Sequence, residues 1–106
     1  MSYTVVFAPE ADDQLEALYL YIAAKASPAV AERYTSAIVE TCESLRAFPY
    51  RGVARDDIRP GLRITNYKGR AVIAFAVEDA IAKVSIVGVF YGGQDYANAL
   101  ASEFDD

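Results

Sequence analysis

Six of the ten basic side chains in this 106-residue chain fall between positions 51 and 70: Arg51, Arg55, Arg59, Arg63, Lys68 and Arg70. Residues 1–50 carry a net charge of −4, residues 51–77 of +4 and residues 78–106 of −5, so a basic band interrupts an acidic chain. Five of the six are arginines, whose planar guanidinium makes paired hydrogen bonds to carboxylate or phosphate where lysine offers only a point charge. The band reads either as an anion-facing groove or as a solvated face paired with Glu10, Asp12, Asp13 and Asp56. A total charge of −5 argues against coating nucleic acid by bulk charge, so no direct DNA binding by the chain alone is expected.

Other chemistries are excluded by composition. There is no His, and Cys42 is the only cysteine, so a Cys/His or Ser/His/Asp centre, an intrachain disulfide and an ordinary zinc or haem site cannot be assembled. A carboxylate-held Mg²⁺ is the metal chemistry left open, and neither a metal nor any other cofactor is expected. Eight tyrosines in 106 residues is a high count, and tyrosine suits interfaces because it joins a large apolar ring to a polar tip.

The elements that position these residues can be read from spacing. Tyr3 to Phe7 alternates with period two and reads as a strand ending at Pro9. Leu15, Leu18, Tyr19 and Ile22 then recur at helical steps, with Glu10, Asp12, Asp13 and Glu16 crowded at the start, where carboxylates favour a helix N-terminus. Ser27-Pro28 repeats the start signal, and Ala31, Tyr34, Ile38, Cys42, Leu45 and Phe48 continue an apolar stripe as far as Pro49. Cys42 lies on that stripe and is expected in the core. The short connection between the helices predicts an antiparallel hairpin. Leu62 to Thr65, Ala71 to Val77 and Val84 to Phe90 read as three strands of a meander, the last two apolar on both faces and therefore central. The fold expected is α+β in the order β-α-α-β-β-β: one domain over residues 1–106, a small antiparallel sheet with the helical hairpin on one face and aliphatic residues on the other face in need of cover. The N-terminus has no basic-then-apolar leader and no apolar run approaches the roughly 20 residues of a membrane span, so the chain is expected in the cytoplasm, off the membrane.

Four segments together resemble the RelE/ParE superfamily of type II toxins, and within it the ParE-like branch. Tyr3 to Leu15 is similar to the family's first strand and helix, and Ala31-Glu32-Arg33-Tyr34 with Leu45 to Gly52 to its second helix and FPxRG exit. Ile58-Arg59-Pro60-Gly61-Leu62-Arg63 resembles its xRPGLR entry into the meander, and Val89 to Asp95 occupies the place of its C-terminal motif. The resemblance covers nearly the whole chain. It implies a toxin held inactive by a ParD-like antitoxin encoded beside it, whose C-terminal segment wraps the toxin. A partner helix is then expected near Tyr19, Tyr21, Ile22 and Tyr34, and an extended segment near Arg59, Arg63 and Arg70.

The two branches act differently: RelE-like toxins cleave mRNA on the ribosome, and ParE-like toxins inhibit DNA gyrase. RNA cleavage without metal needs a base for the 2′-hydroxyl, cations for the phosphate and an acid for the leaving oxygen. Arg63, Lys68 and Arg70 supply cations, and Arg70 matches the RelE-like strand arginine. The arginine expected after the last strand is replaced by Gly92-Gly93, and the histidine of other nuclease relatives by Tyr91. The resemblance therefore implies gyrase inhibition by protein contact with no catalytic residues, the contact being expected through Tyr91, Gln94, Asp95 and Tyr96. The alternatives are a ribosome-dependent endoribonuclease, a ParE-like protein whose target is neither gyrase nor the ribosome, and a non-toxic module that only binds the antitoxin.

Overall fold

Pro9 and Pro28 each open a helix, as a residue with fixed φ and no N–H does without loss at a first helical position. In the computed structural model, which describes residues 2–92, β1 (Thr4–Phe7) leads into α1 (Pro9–Lys25) and α2 (Pro28–Glu43). Ser27 caps α2, its Oγ accepting from the Val30 N–H at 3.2 Å. The chain then makes β2 (Val53–Ala54), β3 (Leu62–Tyr67), β4 (Ala71–Glu78) and β5 (Lys83–Tyr91). Neither helix is long and apolar enough to cross a membrane.

The strand order is β1-β5-β4-β3-β2. β3, β4 and β5 form the expected antiparallel meander, but β1 pairs with β5 in parallel, Thr4 opposite Lys83 and Phe7 opposite Ile86, so the sheet is mixed and not wholly antiparallel. A parallel neighbour needs a long crossover, and here everything between β1 and β5 is that crossover. β2 was not anticipated; two exposed residues carry no periodic signal.

The hairpin packs on one face of the sheet. Ala11, Leu18 and Ile22 from α1 and Ala31, Ile38 and Cys42 from α2 meet Ile73, Phe75, Val84 and Ile86 in the main core. Ala11 and Ala31 are fully buried, and their small side chains let the helices lie close. Burial pushes the Cys42 thiol up to about 12, so it stays protonated and unreactive, as a core residue should. The apolar stripe of α2 does not extend to Pro49 as a helix. Past Glu43 the chain tightens into a 3₁₀ turn, Ser44–Arg46, which still buries Leu45 but, at three residues per turn, carries Phe48 off the stripe to 61% exposure. On the opposite face, Leu62, Ile64, Ala74 and Phe90 are themselves buried and pack with Ile58, Val72 and Val87, so these residues are not left open for a partner.

Candidate partner-binding site

The register of the meander separates two ends of the sheet. Ala71 lies opposite Tyr91 at one end, and Glu78 lies opposite Lys83 at the other. Chemistry-bearing side chains gather at both.

At the first end, β1 stops opposite Ile86 while β5 continues to Tyr91. The β1-side edge of β5 thus loses its strand neighbour, and α1 takes over: Gln14 Oε1 accepts from the Val89 N–H at 2.7 Å. A bulge in β5, where Ala74 pairs with Gly88 but Phe75 with Ile86, re-aims the last residues of the strand. The result is a groove of about 490 Å³ walled by Ala17, Leu18, Tyr21, Val89 and Tyr91, with Arg70 and Gln14 as its polar groups. Arg70 is held there by a tight turn in which Lys68 and Gly69 both have positive φ and the Arg70 N–H donates to Tyr67 O at 3.2 Å. The Arg70 side chain is exposed and makes no ion pair among the described residues.

Four tyrosines back the groove. The Tyr91 ring lies 6.1 Å from Tyr21 and 5.7 Å from Tyr34, and Tyr34 meets Tyr67 edge-on at 5.3 Å. The Tyr34 hydroxyl is buried without a hydrogen-bond partner among the described residues. Burial first, then the neighbouring Tyr91 and Tyr67, raise its pKa against the opposing pull of Arg70, so it remains a neutral phenol.

At the second end, the Tyr3 hydroxyl donates to Asp79 Oδ1 at 2.8 Å, and the Tyr50 hydroxyl donates to the same oxygen. The hydrogen bond from Tyr50, then that from Tyr3, holds the Asp79 carboxyl below its usual range. A depressed folded-state pKa gives stability that is present above the unfolded value of about 3.9 and lost as pH falls through the folded one. Between about pH 5 and about pH 2.5 the urea midpoint of the wild type should therefore fall more steeply than that of Asp79→Asn. Parallel slopes would mean that the two hydroxyls do not hold the carboxylate in solution. Arg63 completes this end: its Nη2 donates to Tyr50 O at 2.6 Å and to Gly52 O at 3.2 Å, and its Nε donates to Arg51 O at 3.2 Å.

The residues singled out in the sequence are thus distributed over several environments. Ile22 is 8% exposed inside the core, and Tyr19 and Tyr34 are half-buried against it, whereas Tyr21, on the same helix as Ile22, is 52% exposed in the groove. Arg63 spends its donors on three backbone carbonyls, and Arg70 stands at the groove mouth. Arg59 sits in the loop before β3, its N–H donating to Arg55 O at 3.3 Å. Tyr91 lines the groove; Gln94, Asp95 and Tyr96 lie outside the described residues. Gln14 and the Tyr3–Asp79–Tyr50 node were missed, since nothing in their local sequence marks residues that meet only after folding. No group of three or more His, Cys, Asp or Glu side chains gathers for a metal among the described residues.

A comparison with family models matches residues 5–96 to the ParE toxin of type II toxin-antitoxin systems. The chain belongs to the ParE toxin family. Solved structures of similar fold include the chromosomal ParDE toxin-antitoxin system of P. aeruginosa, at 20% identity and a TM-score of 0.72 over 85% of this chain and 96% of that one. The RelBE2 toxin-antitoxin complex of Mycobacterium tuberculosis matches at 23% identity and a TM-score of 0.62, over 87% of this chain and 100% of that one. A double arginine mutant of E. coli RelE in the free state matches at 16% identity and a TM-score of 0.62 over 100% of both chains. No curated protein sequence matches. At these identities the structural likeness concerns the fold alone, the two-helix, mixed-sheet architecture of this chain.

Proposed function

We propose that this ParE family member is the toxin of an antitoxin pair, that a ParD-like antitoxin occupies the groove between α1 and the end of β5, and that the free toxin inhibits DNA gyrase by protein contact without catalysis. The observation that carries the antitoxin part is the groove itself. Its walls are apolar and aromatic, its one cation, among the described residues, has no carboxylate partner, and an amphipathic segment placing a carboxylate beside an apolar side chain satisfies both. Two structures of similar fold, the ParDE system and the RelBE2 complex, are toxin-antitoxin systems, which supports the same pairing. Arg59 and Arg63 are proposed to extend the antitoxin surface beyond the groove, and Tyr91 with Gln94, Asp95 and Tyr96 to face the target.

The non-catalytic part rests on the acid–base inventory. The chain has no His, and the tyrosine hydroxyl buried beside the groove, that of Tyr34, is pushed away from the range in which it takes a proton at neutral pH. The test is a supercoiling and cleavage assay with purified gyrase and the antitoxin-free protein. Gyrase-linked linear DNA, reversed by the product of the adjacent gene, is the result expected. Unaffected gyrase together with mRNA cleavage in a purified translation system would overturn this reading in favour of a ribonuclease. Silence in both assays would overturn gyrase inhibition and leave a toxin with another target or a module that only binds its antitoxin.

A further inference from the structure

One edge of β5 is served first by a strand and then by a helix side chain. The Ala8 N–H, just past β1, donates to Ile86 O at 2.9 Å, and three residues further along β5 the Val89 N–H donates to Gln14 Oε1 at 2.7 Å. In a regular strand the backbone groups facing one edge recur at every second residue, so residues 86 and 89 would face opposite edges. The bulge supplies the extra residue, Val87, that brings both to the same edge. It turns the Val89 N–H toward the side that β1 has left, and Gln14 answers it from α1. Gly88 makes room for that answer: a Cβ there would lie 3.4 Å from Gln14 Oε1 and 2.6 Å from Cε2 of Phe90, a buried ring with no space to withdraw.

The same bond settles how the carboxamide lies. A backbone N–H is accepted by the amide oxygen and not by the amide nitrogen, so Oε1 belongs to the strand and Nε2 is the end left over. Gln14 lines the groove, and its Nε2 makes no hydrogen bond among the described residues. An occupant that covered this end with apolar atoms would strand two N–H donors, a cost that an oxygen on the occupant removes. The groove therefore asks for two acceptors, a carboxylate at Arg70 and a further oxygen at Gln14.

We propose that Gln14 is a specificity-determining residue of the groove, holding the edge of β5 with Oε1 and donating from Nε2 to a neutral oxygen of the occupant. The proposal rests on the antitoxin reading above and adds a chemical requirement to it. Within a helical occupant the backbone carbonyls are spent on the helix itself, so the oxygen must come from a hydroxyl or amide side chain or from a helix end. A segment with a carboxylate and an apolar side chain but no such oxygen leaves Nε2 unpaired and is bound less well.

The two ends of Gln14 can be separated by substitution in the full chain, with the adjacent gene's product as probe. Gln14→Glu keeps an oxygen for the Val89 N–H and replaces the donor by an acceptor, so it should melt close to wild type yet bind about tenfold more weakly. Gln14→Met removes both ends and should lose stability as well as binding. Because a glutamate at position 14 could also neutralise Arg70, the Gln14→Glu change is repeated in an Arg70→Ala background, where the loss should persist. A change within twofold in that background overturns the proposal, and so does a Gln14→Glu protein that melts as low as Gln14→Met. If the variants fail to fold, the wild type decides: on adding the product, the Gln14 side-chain NH₂ resonances should shift and their protons exchange more slowly, and unchanged resonances overturn the donor role. These failures leave the groove reading intact if Arg70→Glu still weakens the complex. A wild type that does not bind the product overturns both.

Discussion

Gly52→Ala should lower the stability of this ParE family toxin by about 3 kcal/mol or more, a fall in melting temperature on the order of 12 °C for a domain of this size. Gly52 has φ +80°, and a Cβ there would sit 2.1 Å from the backbone oxygen of Ile64 and 2.9 Å from its carbonyl carbon. Val53 pairs with Ile64 in the next step of the chain, so β2 cannot move aside without leaving β3. The Gly52 carbonyl is also one of the three that Arg63 holds, so displacement of this segment loosens the Tyr50 loop as well. Gly69→Ala provides the control: its φ is +68°, but nothing lies within 4 Å of the added carbon, so only the left-handed strain of about 1 kcal/mol is expected. Thermal unfolding followed by circular dichroism compares the two. Equal melting temperatures for the two variants would show that the close approach of residue 52 to β3 is absent in solution.

The second large effect is on binding. Arg70→Glu should weaken the complex with the antitoxin by about 1.5–3 kcal/mol, roughly tenfold to a hundredfold, because it removes a charge-assisted hydrogen bond and sets like charges face to face. Arg70 lies on a turn outside the core, its side chain makes no hydrogen bond or ion pair within the described chain, and the melting temperature should hardly change. Arg63→Ala should behave in the opposite manner, losing stability first, since its guanidinium is committed to three carbonyls. Titration calorimetry alongside thermal melts separates the two behaviours. An Arg70→Glu protein that binds as tightly as wild type would remove the groove from the antitoxin interface.

What could be read from the sequence follows from the range of the forces involved. The helix starts are local matters of Pro9, Ser27 and Pro28, and the central strands announce themselves because β4 and β5 are apolar on both faces. The parallel pairing of β1 depends on where the meander ends, and no local pattern encodes that. The basic band was visible as composition but not as geometry. Arg63 and Arg70 are only seven positions apart, yet β3 and its turn carry them toward opposite ends of the sheet, one into a structural clamp and the other to the mouth of a groove. The groove combines Gln14 and Tyr21 of α1 with Arg70 and the end of β5, and residues so far apart share no spacing rule. Phe48 failed as a helix-stripe residue because a 3₁₀ turn changes the angular step, a change the apolar period alone does not reveal.

The parallel pairing of β1 with β5 also bears on the order in which the protein is made. Thr4 is synthesised before the helices, but its partner Lys83 emerges only after the helices and most of the meander. During translation the nascent chain therefore holds a strand with an unfilled edge, and sheet closure is a high-contact-order event that comes last. The groove depends on the same late step, since its wall is the stretch of β5 just beyond the β1 pairing. A growing polypeptide of this kind cannot form the groove until the last strand of the sheet has been made.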